Sequence, residues 1–269
     1  MAKLSFSDRY FTPKRAIPKP VEISTGLVVA VAIMFAWYLA TATGFVSRDF
    51  LPSPGDVWSS FLDKLGDGSL KKHIGVSLKE IYLGFFLSSI IAIPVGIFMG
   101  GFRVVAAAIE PVVNFMRYLP VTSLIPLLIL WIGIGLEQKI AVIFLGTFFQ
   151  QIVMVSDVAR GVHGDLFNVS YTLGASKGQI VRRVLLPATL PGIFDTLRVT
   201  MGRAWTFLVV AELVAANAGL GYMILQSMRG FDPAGIFVGI FVIGFLGLGT
   251  DLVFKWFKRL ALPWENLGR

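Results

Sequence analysis

The chain has no cysteine, only two histidines among its 269 residues, and only 15% charged residues. The absence of cysteine excludes disulfide bonds, thiolate zinc sites and a cysteine nucleophile. His73 and His163 are too few for a metal site built from histidines. The shortage of charge excludes more, because a soluble domain carries about 25% charged residues. A water-soluble body of this size could not be covered by so few solvating side chains.

Apolar residues are abundant instead: 55% of the chain is hydrophobic, and the mean hydropathy is +0.76. A membrane-spanning helix needs about 20 predominantly apolar residues. Runs of this kind predict six transmembrane helices, at residues 23–47, 81–102, 118–136, 140–156, 193–215 and 233–250. Residues 104–116 are expected to form a further helix at the membrane edge. The predicted fold is an all-α membrane protein, in which residues 23–260 form one six-span domain.

The net charge is +8, from 24 Lys and Arg against 16 Asp and Glu. In a membrane protein, positive charge marks the cytoplasmic side rather than a nucleic-acid partner, and no nucleic acid is expected here. The basic residues of the first 22 positions predict a cytoplasmic N-terminal tail; they are Lys3, Arg9, Lys14, Arg15 and Lys19, against Asp8 and Glu22. Six crossings return residues 261–269 to the cytoplasm, in agreement with Lys255, Lys258 and Arg259.

Two alternatives concern the spans themselves. Residues 1–42 could form a cleavable signal peptide, although their apolar stretch is longer than the usual core of about 7–15 residues. Small residues four apart, as in packed membrane helices, occur at Gly96 and Gly100 and at Gly235 and Gly239. These glycines could pack within one bundle or contact a second subunit, and the sequence leaves both open.

Residues 158–190 are predicted to be a cytoplasmic loop that contains two helices. Asp165 is expected to cap the first helix, and Gly174 to end it in a left-handed turn. Ser176 opens the second helix, because Gln179 three residues later completes a capping-box pattern. Pro187 and Pro191 are then expected to end that helix before the fifth span.

The first loop helix is unusually apolar for a cytoplasmic segment. Leu166, Val169 and Leu173 share one face, whereas Phe167 and Tyr171 form a second apolar pair. One apolar face could pack under the membrane domain, and a second indicates a protein partner. A re-entrant helix buried in its own bundle is the alternative.

The spacing from Gly174 through nine residues to Val184, Leu186 and Pro187 resembles the EAA loop of the permease subunits of ABC importers. In that family the pattern is Glu-Ala-Ala-x3-Gly-x9-Ile-x-Leu-Pro, whereas the opening here is Asn168-Val169-Ser170. Further segments resemble the branch that transports nitrate, bicarbonate, taurine and alkanesulfonates; they lie at residues 51–57, 125–135, 204–205, 211–215 and 219–221.

The resemblance implies a type I ABC importer permease bundle in the bacterial inner membrane. Its expected partners are a second permease copy, two cytoplasmic ABC ATPase subunits, membrane lipid, and a periplasmic or lipid-anchored solute-binding protein. It also implies an ATPase-coupling loop formed by Leu166, Phe167, Asn168, Val169, Ser170, Tyr171, Leu173, Gly174, Ala175, Ser176, Leu186 and Pro187. The chain lacks a Gly-x4-Gly-Lys-Ser/Thr phosphate loop, so ATP and magnesium are expected on the partner ATPases and no cofactor on this chain.

Charged and polar side chains inside the spans are the candidates for a substrate path, because they are costly in a bilayer core. The candidates are Arg117, Gln150, Gln151, Arg203, Trp205 and Glu212. Arg203 could attract a small oxyanion; a structural ion pair is the alternative.

The predicted function is therefore a non-catalytic membrane subunit of an importer for a small anion or zwitterion. Two other functions stay open at this stage: a self-sufficient secondary carrier or channel, and an intramembrane enzyme. A Gly-x-Ser-x-Gly sequence occurs at residues 174–178, but it lies in the turn between two predicted helices and not in the strand-to-helix turn that presents a serine nucleophile. The chain has no metal-binding pattern, so no catalytic residue or metal ligand is predicted.

Overall fold

The computed structural model describes residues 17–264, and within this range the chain is helical, without a β-strand. The α-helices are α1 Lys19–Ala42, α2 Pro54–Gly66, α3 Ser69–Gly101, α4 Arg103–Met116, α5 Ile125–Ile132, α6 Leu136–Arg160, α7 Gly164–Thr172, α8 Lys177–Ile180, α9 Leu186–Ala215, α10 Leu220–Arg229 and α11 Pro233–Ala261. A 3-10 helix precedes α5 at Val121–Leu124, and a π-helix joins α8 to α9 at Val181–Leu185. The predicted tail charges at positions 3, 8, 9, 14 and 15, and residues 265–269, lie outside the described residues.

Four helices in the described range are long and apolar enough to cross a membrane by themselves: α1, α3, α6 and α11. Two further spans would be bent pairs. The helix α4 meets the Val121–Ile132 segment at 78°, and the continuous helix from Lys177 to Ala215 meets α10 at 48°. If each pair is one span, the total is six. The all-helical, multi-pass membrane fold predicted from hydropathy is confirmed.

Several helices have bounds that differ from those of the predicted spans. The third span is not one helix at residues 118–136, because the chain breaks between α4 and α5. Residues 104–116 form the helix α4, as expected, and they supply half of that span if the bent pair crosses the membrane as one. The helix α3 begins at Ser69, twelve residues before the expected start, and α6 begins at Leu136, four residues before the expected start. The stretches without charged residues are shorter than both helices, because the first turns of each helix carry charged residues.

Pro187 and Pro191 do not end the second loop helix, which was the sequence expectation. The chain stays helical from Lys177 through Ala215. The π-helix explains how Pro187 is accommodated. The Leu186 N–H donates to the Val181 carbonyl, five residues back instead of the usual four. The hydrogen-bond register is therefore already shifted at Pro187, whose nitrogen has no hydrogen to donate.

The centre of the bundle is the close pair α3 and α6, held by glycines. A Cβ atom added at Gly84 would lie 2.8 Å from the Ile143 Cβ, and one added at Gly96 would lie 2.7 Å from the Val155 Cβ. Both distances are closer than side chains approach, so the backbones touch only because these residues are glycines. Residue numbers increase together along the two contacts, and α3 and α6 therefore run parallel.

The small-residue pairs left open by the sequence all face neighbours within the chain. Gly96 and Gly100 face α6. Gly239 faces Ile224 of α10, and Gly235 faces the turn that precedes α11. In this structure these four glycines therefore pack against other helices of the same chain.

Replacing Gly96 with alanine is expected to destabilise the protein by about 1–3 kcal/mol, because the added methyl group overpacks the contact with α6. The matched control is Gly244→Ala in α11, where an added Cβ meets nothing within 4 Å. Thermal unfolding of both variants in detergent measures the difference. Equal midpoints would contradict the proposed packing constraint.

The helix α9 runs antiparallel to α6. Gly146 of α6 faces Phe207, and Gly192 of α9 faces Val158, so residue numbers increase along one helix as they decrease along the other. This arrangement gives the bundle two distinct ends. The first, called the coupling end below, holds α7 with the C-terminal ends of α3 and α6. The opposite end holds the N-terminal ends of α3 and α6 with the α9–α10 junction.

The helix α1 is attached loosely to this bundle. Of its residues, only Thr41 is buried by the described part of the chain. The Trp37 indole N–H donates to the Pro52 carbonyl at 2.9 Å, just before α2. Ser53 and Asp56 form a capping box that starts α2, and the hydrogen bonds from Ser53 lower the pKa of Asp56 below its usual value.

Candidate functional site: the coupling-end helix and the buried charges

The helix α7 forms a short finger at the coupling end. It begins after His163, which occupies the N-cap position, so the expected cap at Asp165 was wrong; that residue lies in the first turn. At the other end Gly174 has a φ of 77°, as predicted for a left-handed stop. The Ala175 N–H donates to the Ser170 carbonyl and the Gly174 N–H to the Tyr171 carbonyl, which is the Schellman pattern.

The finger presents most of its apolar side chains to the outside. Leu166, Val169, Tyr171 and Leu173 are 47%, 59%, 56% and 80% exposed. Phe167 points the other way and packs on the bundle cluster that includes Leu185. No residue of α7 is buried by the described chain, so the alternative of a buried re-entrant helix was wrong. Exposed apolar side chains on one short helix are typical of a protein-docking surface.

The segment after the finger anchors it to the membrane bundle. Ser176 caps α8 through the predicted capping box, in which its side chain accepts from the Gln179 N–H. Ile180 and Leu185 are buried, and α9 continues directly from the π-helix into the bundle. Leu186 and Pro187, the last predicted coupling residues, are exposed. The finger is therefore followed by a helix that continues without a break from Lys177 to Ala215 through the bundle.

The candidate path residues do not converge on one site within a single chain. Gln151 is fully buried, where its amide accepts from Ser88 and donates to Thr200 of α9. Trp205 is buried too, and its indole donates to Thr250 at 3.3 Å. Gln150 is half-buried, whereas Arg117 and Arg203 are exposed. Glu212 is fully buried.

Three of the four charged residues of the fifth span have partners. Arg198 pairs with Asp251 at 2.6 Å, and Asp195 with Lys258 at 2.8 Å. Glu212 accepts two hydrogen bonds, described below. Arg203 has no hydrogen bond or ion pair within residues 17–264.

A cluster of buried charges at the opposite end was missed in the sequence. The Lys139 ammonium lies 2.6 Å from the Glu80 carboxylate, with both side chains less than 10% exposed. The carboxyl group of Glu212 lies close enough to that of Glu80 for the two to interact electrostatically. One signal could have revealed it: His73, Ser77 and Glu80 follow one another at helical spacing, i, i+4 and i+7, and so place a polar stripe on one face of α3.

Within residues 17–264, no three acidic or histidine side chains are grouped closely enough to hold a metal ion. The geometry instead combines a helical membrane bundle, an exposed apolar helix joined to a bundle helix, and charges paired inside the bundle.

Comparison with known proteins agrees with these features. Residues 92–262 match the family described as binding-protein-dependent transport system inner membrane component. A probable ABC transporter permease of Brucella abortus is 40% identical over 86% of this chain and 91% of its own. The putative aliphatic sulfonates permease of Bacillus subtilis is 32% identical over 90% and 87%. The taurine transport system permease of Escherichia coli is 30% identical over 93% and 92%.

Solved structures share the fold. The inward-facing MetNI methionine ABC transporter matches with a TM-score of 0.57 and 24% identity, over 69% of this chain and 96% of that one. A bacterial alginate ABC transporter, in complex with an alginate-bound periplasmic protein, matches with a TM-score of 0.58 and 13% identity, over 91% and 96%. The chain thus belongs to the family of inner membrane components of binding-protein-dependent transport systems, the permease subunits of ABC importers.

Proposed function

We propose that this permease forms the path of an ATP-driven importer for a small anion or zwitterion of the taurine and sulfonate class, with nitrate and bicarbonate as related candidates. The exposed apolar surface of α7 carries the proposal, because a self-sufficient carrier has no use for such a surface. Two partner ATPase subunits dock there, bind ATP and magnesium, and hydrolyse ATP. The named relatives for sulfonates and taurine support the substrate class.

In this proposal the coupling end faces the cytoplasm and both chain termini lie on that side. The basic residues near the chain ends support the orientation, since positive charge is retained on the inner face. Lys255, Lys258 and Arg259 lie in the last turns of α11, near the aromatic side chains Trp256 and Phe257. Such a combination anchors a helix at the inner headgroup region. The opposite end then receives the solute from the binding protein.

The substrate path is proposed along the uncovered face of α9. Val199, Gly202, Arg203 and Thr206 are exposed there at helical spacing. An unpaired arginine in a bilayer is costly, so this face needs a second permease copy or a water-filled passage beside it. Two copies that bring these faces together would enclose a passage lined by arginine. A guanidinium fork suits the oxygens of a sulfonate or nitrate group.

Replacing Arg203 with glutamine is expected to lower uptake about tenfold or more, because a charge-assisted hydrogen bond contributes about 1.5–3 kcal/mol. Assembly with the ATPases should be unchanged. The matched control is Arg259→Gln, the same substitution at an exposed arginine in the last turn of α11. Uptake is measured with radiolabelled taurine in vesicles. Normal uptake by the Arg203 variant would place the anion path elsewhere.

The proposed function is tested by reconstitution. The permease, its ATPase subunits and its solute-binding protein are placed in lipid vesicles, and taurine, an alkanesulfonate, nitrate and bicarbonate are supplied in turn. We expect one class to stimulate ATP hydrolysis and to accumulate inside only when ATP is present. Uptake by the permease alone, without ATPase subunits, would contradict the proposal and favour a self-sufficient carrier.

A further inference from the structure

The junction between α9 and α10 is held by side chains rather than by a continuous helix. The helix α9 ends at Ala215, Ala216 is extended, and Gly219 has a φ of 120°, which only glycine adopts readily. The regular backbone ladder is therefore interrupted over four residues, from 216 to 219. A movement of α9 would not reach α10 through a continuous helical backbone.

Glu212 bridges this interruption. One of its carboxylate oxygens accepts from the Gly221 N–H at 2.6 Å, in the first turn of α10. The other accepts from the Ser77 hydroxyl of α3 at 2.5 Å. A Cβ atom on Gly219 or Gly221 would overlap the Glu212 side chain, so both glycines are needed for this close approach. One carboxylate thus joins α9, α10 and α3.

Two side chains of α3 complete the attachment of α10. The Leu220 N–H donates to the Ser77 hydroxyl oxygen at 2.8 Å, and the Gly219 N–H donates to His73 Nδ1 at 3.1 Å. Three successive N–H groups at the start of α10 therefore have buried acceptors. The first N–H groups of a helix have no partner within the helix, and here His73 and Ser77 of α3 and Glu212 of α9 supply their acceptors.

The neighbouring ion pair fixes the same end of the bundle. Glu80 lies one turn beyond Ser77 on α3 and pairs with Lys139 in the first turn of α6. The four helices α3, α6, α9 and α10 thus meet around buried polar groups. Separation of these groups would leave charges unpaired inside the membrane, so the cluster should move as one body.

We propose that Glu212 and Ser77 are positioning residues that transmit the movement of α9 to α10, and so couple ATP-driven closure at the coupling end to the opening of the opposite end. This inference rests on the proposed transport function. We call the group formed by His73, Ser77, Glu80, Lys139, Glu212 and the N–H groups of residues 219–221 the clasp. In this proposal the clasp does not bind the transported solute. It keeps α10 attached to α9 when α9 moves.

The main test compares uptake with ATP hydrolysis in the reconstituted complex. Glu212→Gln keeps the side-chain volume but can accept only one of the two hydrogen bonds. We expect taurine uptake to fall about tenfold, within the usual range for coupling between sites, while binding-protein-stimulated ATP hydrolysis stays within about twofold of the wild type. Glu137→Gln is the matched control, since Glu137 is an exposed carboxylate at the same end of α6. It should change neither activity.

Ser77→Ala should reduce uptake in the same manner, and the double variant should be no worse than Glu212→Gln alone, because both residues serve one connection. A parallel loss of uptake and hydrolysis would indicate a merely structural role and overturn the proposal. Unchanged uptake in Glu212→Gln, or fully additive losses in the double variant, would overturn it as well.

A measurement that needs no substrate separates this inference from the proposed function. The chain has no cysteine, so a single Leu220→Cys provides a unique thiol in the buried first turn of α10. An external, membrane-impermeant maleimide should label it about tenfold faster when Glu212→Gln is also present, since α10 is then detached. Met228→Cys, at an exposed position of α10, should be labelled equally in both backgrounds. Equal labelling of Leu220→Cys would overturn the clasp even if no transported solute is found.

Discussion

In the Gly174→Val variant the permease should still insert into the membrane, but its ATPase subunits are expected to co-purify about tenfold less, which corresponds to about 1.4 kcal/mol. Gly174 has a φ of 77°, and a β-branched residue in that conformation costs about 1–3 kcal/mol. Space is not the problem, since an added Cβ would meet nothing within 4 Å. The strain is relieved only if the turn changes, and α7 then leaves its position.

Gly178→Val is the matched control. It makes the same substitution four residues later, where an added Cβ also meets nothing within 4 Å but φ is not positive. A direct contact test uses a cysteine at Leu173, the most exposed apolar residue of the finger. We expect it to cross-link to the ATPase in the wild type and only weakly beside Gly174→Val. Normal co-purification of the Gly174 variant would show that the finger does not carry the docking surface.

The largest effect on stability is expected for Lys139→Ala. This change leaves the Glu80 carboxylate buried without its ion-pair partner, which costs about 3–5 kcal/mol. The thermal unfolding midpoint in detergent, followed by size-exclusion chromatography of heated samples, should fall well below that of the wild type. Replacing both partners, as Lys139→Met with Glu80→Gln, should recover much of the loss, because neither position then holds an unpaired charge.

Lys64→Ala is the control for this experiment. Lys64 pairs with Asp232 at 3.2 Å, but its side chain is 22% exposed and that of Asp232 is 39% exposed. Water screens such a pair, and its loss should change stability by about 1 kcal/mol or less. If the Lys64 and Lys139 variants unfold at the same temperature, burial does not govern the strength of these ion pairs.

The local features of the coupling loop could be predicted well from sequence. A left-handed turn at Gly174 and a capping box from Ser176 to Gln179 depend on single residues and their nearest neighbours, and both are present. The prolines were misjudged for a related reason. Their effect depends on the hydrogen-bond register of the preceding turns, and a π-helix that changes this register has no clear sequence pattern.

The direction in which each apolar or charged side chain points was not available from the sequence. Phe167 and Tyr171 have equivalent places in the helical pattern, yet Phe167 packs on the bundle and Tyr171 is exposed. Glu80 and Lys139 stood outside the predicted spans because each carries a charge. Their pairing joins residues 59 positions apart, and it becomes visible only when α3 and α6 are packed together.

The membrane class, the helical fold and the family could all be inferred from the sequence, because hydropathy, turn residues and motif spacing are properties of short segments. Helix packing was needed to show which faces are covered, where the helices of the third apolar segment break, which charges of the fifth span are paired, and that Arg203 in that span is left without a partner in the described chain. This division arises because a charge in a bilayer is tolerated only beside a suitable neighbour, and neighbours from distant segments are brought together only when the helices pack.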